Sequence, residues 1–213
     1  MSANDGYEIR ALTPDTWELF EGLAGRHNGI FSGCWCTWFH PDCAERGQTS
    51  EGNRALKEQW VRDGIAHAAL VIDSSTGTDE AIAWAEYGTP EELPGIHHRK
   101  QYEAEADLIP DYRITCIFVD RRYRRNGLAE AAAQGAIDLI AQAGGGVVES
   151  YPHEVDPGKK MSASFLYNGT RRMYERLGFD YIRPKGLKNC VMRRTVKPAA
   201  KRTSKKSAGA KAR

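Results

Sequence analysis

The sequence contains no apolar run approaching the roughly 18 residues that a membrane-spanning helix needs. Its opening, MSANDGYEIR, has no basic segment followed by an apolar one, so no secretory leader is visible. No internal repeat is apparent. Cysteine is sparse and odd in number, five in 213 residues. That count argues against a disulfide framework and for reduced thiols in the cytoplasm. Cys116 and Cys190, in strand-like stretches, read as small core residues. What remains is an ordinary globular composition, 41% hydrophobic, in a chain long enough to bury a core without cross-links.

Against that background the stretch Arg121–Ala129, RRYRRNGLA, stands out. The run before it, Ile114-Thr115-Cys116-Ile117-Phe118-Val119, is short, apolar and β-branched, and predicts a buried strand. After it, Ala129, Ala132, Ala133, Ala136, Ile137, Ile140 and Ala141 recur at helical spacing. They predict an amphipathic helix whose small-residue face lies close to a sheet. Gly135 costs that helix ~1 kcal/mol against alanine, tolerable where something packs closely. Gly144-Gly145-Gly146 ends it. A strand, a basic glycine loop and a helix N-terminus together suit a pyrophosphate: the helix offers unpaired N–H groups and partial positive charge, and arginine adds bidentate donors. The competing reading is a solvated basic connector. The loop lacks the lysine of a Gly-x-x-x-x-Gly-Lys-Ser/Thr signature, and it has only Gly127 where a dinucleotide fingerprint needs three spaced glycines.

Arg124-Arg125-Asn126-Gly127-Leu128-Ala129 matches the pattern Arg/Gln-x-x-Gly-x-Gly/Ala, and here the chain resembles the GNAT acyltransferase superfamily. A second stretch, Met173-Tyr174-Glu175-Arg176-Leu177-Gly178-Phe179, is similar to that family's late helix and following turn. The resemblance spans roughly Tyr7 to Thr195. It implies an α/β (α+β) GNAT fold, a mixed and mostly antiparallel sheet flanked by helices. It also implies acetyl-CoA as co-substrate, with Arg124, Arg125, Asn126, Gly127, Leu128 and Ala129 around its pyrophosphate. The strand before the loop would pair with the pantetheine arm and donate an oxyanion-stabilising N–H near Phe118 or Val119. Tyr174, four residues before Gly178, would protonate the departing thiolate. The family often has asparagine where Tyr167 stands. Asn168, one position later, is expected to contact CoA or to cap the helix.

Direct attack by an amine on a thioester also calls for a base. Thr115 stands where some members of the family have a glutamate, so the candidates are Glu149 on the next strand, His153 beyond it and Glu86 at the end of a hairpin. Glu149 is expected beside the cleft and is assigned the role; its competing reading is a surface carboxylate. The segment Gly33-Cys34-Trp35-Cys36-Thr37-Trp38-Phe39-His40 lacks the paired spacing of a structural zinc site. It reads as an aromatic acceptor wall, and Trp35, Trp38, Trp84 and Glu86 are assigned to the acceptor site. No metal is expected.

The full order predicted is β-α-α-β-β-β-α-β-α-β-β. Its helices run from Thr13-Pro14-Asp15 to about Gly25 and from about Asn53 to Arg62, with partial helix near Gln101–Ala106 and a hairpin at Ala68–Asp73 and Ala81–Tyr87. Residues 1–195 form the domain. Residues 196–213 carry seven positive charges and no acid; subtracting them from the net charge of +2 leaves −5 for the rest. That tail is too polar to fold and is expected to be disordered, touching nucleic acid only weakly if at all. The reading is therefore a cytoplasmic acetyl-CoA-dependent N-acetyltransferase acting on a small-molecule or protein amine, without a membrane partner, as a monomer or homodimer. A catalytically silent acyl-CoA-binding domain and a nucleic-acid-associated protein are the alternatives.

Overall fold

A computed structural model describes residues 6–41, 43, 49–155, 161–162 and 165–200. Its centre is one seven-stranded sheet: β1 (Tyr7–Ala11), β2 (His67–Asp73), β3 (Glu80–Gly88), β4 (Tyr112–Val119), β5 (Gly146–Ser150), β6 (Asp180–Lys185) and β7 (Asn189–Val196). The strands lie side by side in the order β1-β2-β3-β4-β5-β7-β6. Every neighbouring pair is antiparallel except β4 and β5, which run parallel. A parallel pair needs a crossover, and here it is helical. The helices are α1 (Trp17–Arg26), α2 (Ser50–Arg62), α3 (Arg99–Glu105), α4 (Leu128–Gln142) and α5 (Arg171–Arg176). None is long and apolar enough to cross a membrane.

The continuous apolar runs of β2, β3 and β4 reflect burial on both faces. On one face α4 and α5 pack Leu128, Ala132, Ala133, Ala136, Ile137, Ile140, Met173 and Leu177 against Ala69, Val71, Ala83, Ala85 and Ile114. On the other, α1 and α2 bring Trp17, Phe20, Leu23, Trp60 and Val61 onto Leu70, Ile72, Trp84, Cys116 and Phe118.

Two helix starts differ from the sequence expectation, each for a capping reason. Pro14–Thr16 forms a separate 3-10 turn and α1 begins at Trp17. The Thr16 hydroxyl, accepting from the Thr13 N–H at 2.8 Å, closes that turn. Helix α2 starts at Ser50 rather than near Asn53, because the Thr49 hydroxyl accepts from the Gly52 N–H at 3.0 Å and caps it there.

The domain boundary at Thr195 is corrected as well. Strand β7 runs through Val196, which pairs with Gly146 and is buried in the core. The Ala199 N–H then donates to the Ala141 carbonyl at 2.8 Å. The folded part therefore reaches at least Ala199, and the tail expectation concerns residues 201–213, outside the described residues.

The small face of α4 lies where the sequence placed it. At Gly135 an added Cβ would sit 2.7 Å from Ile9 Cγ2 and 3.2 Å from Ala69 Cβ. Helix propensity alone would make Gly135→Ala stabilising by ~1 kcal/mol. The overlap with a β-branched side chain on the sheet should win, and the substitution should lower stability by about 1–2 kcal/mol in urea unfolding.

Candidate active site

Strands β4 and β5 pair only at Tyr112–Val148, Arg113–Glu149 and Ile114–Ser150. β5 ends there, while β4 continues to Val119 along β3. One edge of the last part of β4 is thus released from the sheet. A bulge marks the parting: Glu86 lies opposite Cys116 and Tyr87 opposite Ile114, so Thr115 is the extra residue.

Which N–H groups this edge presents follows from two bonds. The Asp120 N–H donates to Ile82 of β3 at 2.8 Å. The Ile117 N–H points the other way and donates to the Tyr167 carbonyl at 2.5 Å. Backbone direction alternates along a strand, so Phe118 turns its N–H to β3 and Val119 turns its N–H to the open edge. Of the two oxyanion donors expected, the geometry favours Val119.

The released edge borders a cavity of about 310 Å³. Ile117, Phe118 and Val119 form one wall, and Arg124, Arg125, Gly127, Leu128 and Ala129 close one end. Leu166, Gly169, Thr170 and Met173 form the opposite wall. Gly127 is the N-cap of α4 with φ +76°. A Cβ there would touch nothing within 4 Å. The requirement for glycine is thus the left-handed backbone, which costs other residues roughly 1–2 kcal/mol, together with the closeness it gives a ligand. Arg125 is itself left-handed at φ +68°, a strain of the kind that gathers at functional sites.

The arginines divide by partner. Arg122 is bound to Asp120 at 2.8 Å and to Glu80 at 2.7 Å and belongs to the scaffold. Arg176 reaches across the cavity mouth to Glu130 at 2.6 Å. Among the described residues, Arg124 and Arg125 have no carboxylate partner; Arg124 Nε lies 3.5 Å from the Val119 carbonyl. The free charge facing the cavity is positive. Asn126 is exposed on the loop and does not line the cavity.

Tyr174 lies in the first turns of α5, whose cap is Thr170, a residue of the cavity wall. Tyr174 is fully buried, edge-on to Phe179 at 5.0 Å, and stands behind the lining. Among the described residues its hydroxyl makes no hydrogen bond of normal geometry, with the Ser150 side chain its polar neighbour. Burial pushes its pKa well up, so it is a neutral phenol with a proton to give. Asn168 is not in the lining: its amide donates to the Tyr151 carbonyl at 3.2 Å and ties the segment before α5 to the end of β5.

Several expected site residues are structural. Glu149 is neither beside the cavity nor on the surface. It is fully buried and accepts from Tyr102 at 2.6 Å, Tyr151 at 3.1 Å and Arg193 at 2.8 and 2.9 Å. Its oxygens are engaged by these four hydrogen bonds and are not open to a ligand in the cavity. Trp84 is core, packed on Phe20 and Phe118 at 4.8 and 4.9 Å. Trp35 is buried and its indole N–H donates to Ser50 at 3.0 Å. Trp38 is exposed and stacks on His97 at 4.4 Å, outside the cavity. The aromatic of this region that does line the cavity is Phe31, which sequence reasoning passed over.

Glu86 sits in a sealed ionic cluster. It accepts from Lys57 at 2.7 Å and from Thr115 at 2.8 Å, with the His40 ring 3.3 Å away. Lys57 also donates to the Cys36 carbonyl at 3.2 Å. All four side chains are buried. Burial alone would raise Glu86, but the Lys57 ammonium and the His40 ring outweigh it and hold the carboxyl down to about 2. For Lys57, burial is likewise outweighed by Glu86, and its pKa is raised. His40 is lowered by burial and by Lys57 and stays neutral. The cluster therefore pins the Thr115 bulge and supplies no free base. Among the described residues no group of His, Cys, Asp and Glu is placed to hold a metal.

Solved structures with this architecture carry acetyltransferase names. An arylalkylamine N-acetyltransferase-like protein from mosquito aligns at TM-score 0.54 with 14% identity, over 89% of this chain and 99% of its own. The ribosomal-protein-S5-alanine acetyltransferase of Vibrio fischeri aligns at 0.51 with 14% identity, over 92% and 96%. A Corynebacterium glutamicum protein described as histone acetyltransferase HPA2 and related acetyltransferase aligns at 0.50 with 16% identity, over 93% and 99%. No family model matches the sequence and no curated protein matches it. At these identities the likeness concerns the fold, and the chain has the GNAT acetyltransferase fold.

Removing one member of the Glu86–Lys57 pair leaves a buried charge alone. Lys57→Met and Glu86→Gln should each cost about 3–5 kcal/mol in chemical unfolding, and Lys57→Met with Glu86→Leu together much less than the sum. Because Glu86 is depressed in the folded state, the stability it contributes is complete above its unfolded value of 4.5 and is lost as pH falls toward 2. An acid titration of melting temperature should show that loss in the wild type and much less of it in the double variant.

Proposed function

We propose that this protein is an acetyl-CoA-dependent N-acetyltransferase working in the cytoplasm by direct attack of an amine on the bound thioester. The observation that carries the reading is the released edge of β4 running into the N-terminus of α4, where Arg124 and Arg125 lack carboxylate partners among the described residues. The groups present fit the co-substrate. Helix N–H groups and two guanidinium groups without a carboxylate partner among the described residues suit a pyrophosphate. An open strand edge suits a chain of amides. The neutral Tyr174 hydroxyl suits a leaving group that needs a proton.

Acetyl-CoA supplies the activated acyl carbon. The amine nitrogen forms the new C–N bond as the C–S bond breaks. Val119 N–H is directed to stabilise the oxyanion. Tyr174 gives its proton to the departing sulfur, and the proton leaving the amine goes to water. Glu149 and Glu86 take no part, since both are sealed and fully bonded. A silent acyl-CoA-binding domain is the second reading, favoured by the Tyr167 carbonyl over the Ile117 N–H and by the sealed hydroxyl of Tyr174. The nucleic-acid reading rests on the basic tail, residues 196–213, of which 201–213 lie outside the described residues.

Calorimetry with acetyl-CoA should show binding that Gly127→Val weakens at least about tenfold while circular dichroism stays unchanged, from backbone strain and lost approach. Absence of binding by the wild type would end the reading. With an amine acceptor, Tyr174→Phe should lower release of free CoA about 10²-fold or more and spare acetyl-CoA affinity. Binding without CoA release from any amine would favour the silent domain.

A further inference from the structure

A second cavity borders the same segment as the first. Leu166 and Thr170 line the acyl-CoA cleft, and Phe165 lines this groove of about 490 Å³. Its other side is the β6–β7 turn with Leu187, Lys188 and Asn189, and His98 and His153 complete it. The groove has an apolar rim, since Phe165 is 59% exposed and Leu187 95% exposed. None of the described residues that line it is acidic. Glu154, next to His153, is held by Arg171 at 2.9 Å.

The protonation of His153 follows from its partner. The Asn189 amide nitrogen donates to the Tyr151 carbonyl at 2.9 Å, which fixes the orientation of that amide. The same nitrogen lies 2.8 Å from His153 Nδ1, so Nδ1 accepts. Burial and Lys188 lower the pKa of the ring, which keeps it neutral. The ring proton is therefore on Nε2, which has no partner among the described residues. His153 is 8% exposed. It is a fixed donor in the groove, not a base: its lone pair is already engaged by Asn189.

We infer that this groove holds a carboxylate next to an apolar group, bound by His153 Nε2–H and the Lys188 ammonium with the apolar part on Phe165 and Leu187. The site does not rest on the acetyltransferase reading. A neutral donor, a cation and an apolar rim, with no acid among the described lining residues, complement an apolar anion and disfavour a simple cationic amine.

The test uses 3-phenylpropionate and its neutral counterpart 3-phenylpropionamide in calorimetry with the full chain. The acid should bind at least about tenfold more tightly, as a charge-assisted hydrogen bond implies. Lys188→Met should remove most of that difference. His153→Leu should weaken the acid similarly, while His153→Gln, which retains a donor, should restore part of the loss. Equal binding of acid and amide, or binding of neither, overturns the carboxylate site. Nitrogen-15 spectra of the imidazole showing the proton on Nδ1 would overturn the role given to His153.

Discussion

The parting of β4 from β5 is the constraint on which the site depends. A strand normally satisfies its backbone on both edges, and a released edge presents N–H and C=O groups that need partners. Here the release is local. β5 stops after Ser150, the bulge at Thr115 turns the remainder of β4, and β3 keeps hold of the other edge. The bulge is fixed from beneath by the Glu86 carboxylate, itself held by Lys57 of α2. Buried ion pairs contribute little net stability, because desolvation offsets most of the attraction. The effect of this pair is to define where Thr115 sits. The position of the open edge is thus decided by residues that never face the cavity.

Charge is allocated in the same way. Glu80 and Asp120 are taken up by Arg122, Glu130 by Arg176, and Glu149 by Arg193 with two tyrosines. The cavity consequently meets two arginines with no carboxylate to neutralise them among the described residues. In a narrow space between low-dielectric walls such an arrangement focuses a positive potential. The arginines of Arg121–Arg125 do different jobs: Arg122 braces the turn, and Arg124 and Arg125 line the cavity.

These divisions mark the limit of what the sequence shows. The β4 run, the glycine loop and the small face of α4 are local patterns, and each lies where its periodicity predicts. The placement of Tyr174 on a short helix ahead of the Gly178 turn is legible from spacing, since helix and turn are contiguous in the chain. Glu149 is not. Its partners Tyr102 and Arg193 are 47 and 44 residues away, and without them a carboxylate on a strand beside the cleft looks available. Lys57 and Glu86 are separated by 29 residues and carry no signal of their mutual burial. The aromatic loop misleads for a different reason. Ser32, Trp35 and Cys36 all have positive φ, which no pattern in residue type announces, and this backbone turns Trp35 inward while Phe31 reaches the cavity.

The segment from Phe165 to Thr170 joins the two ligand sites through successive residues. Phe165 belongs to the outer groove, and Leu166, Gly169 and Thr170 belong to the cleft. Between them the Tyr167 carbonyl accepts from Ile117 of the open edge, and the Asn168 amide holds Tyr151. His153 is coupled to the same piece of chain, because its N–H and C=O bond to Gly169 and Arg171. A ligand pairing with the open edge of β4 competes directly for the Ile117 N–H, and to take it the ligand must displace Tyr167. Any such displacement moves Leu166 and Phe165 with it, since they adjoin Tyr167 in the chain. The cleft and the groove thus share one short piece of chain, held by Ile117 of the open edge on one side and by Tyr151 at the end of β5 on the other.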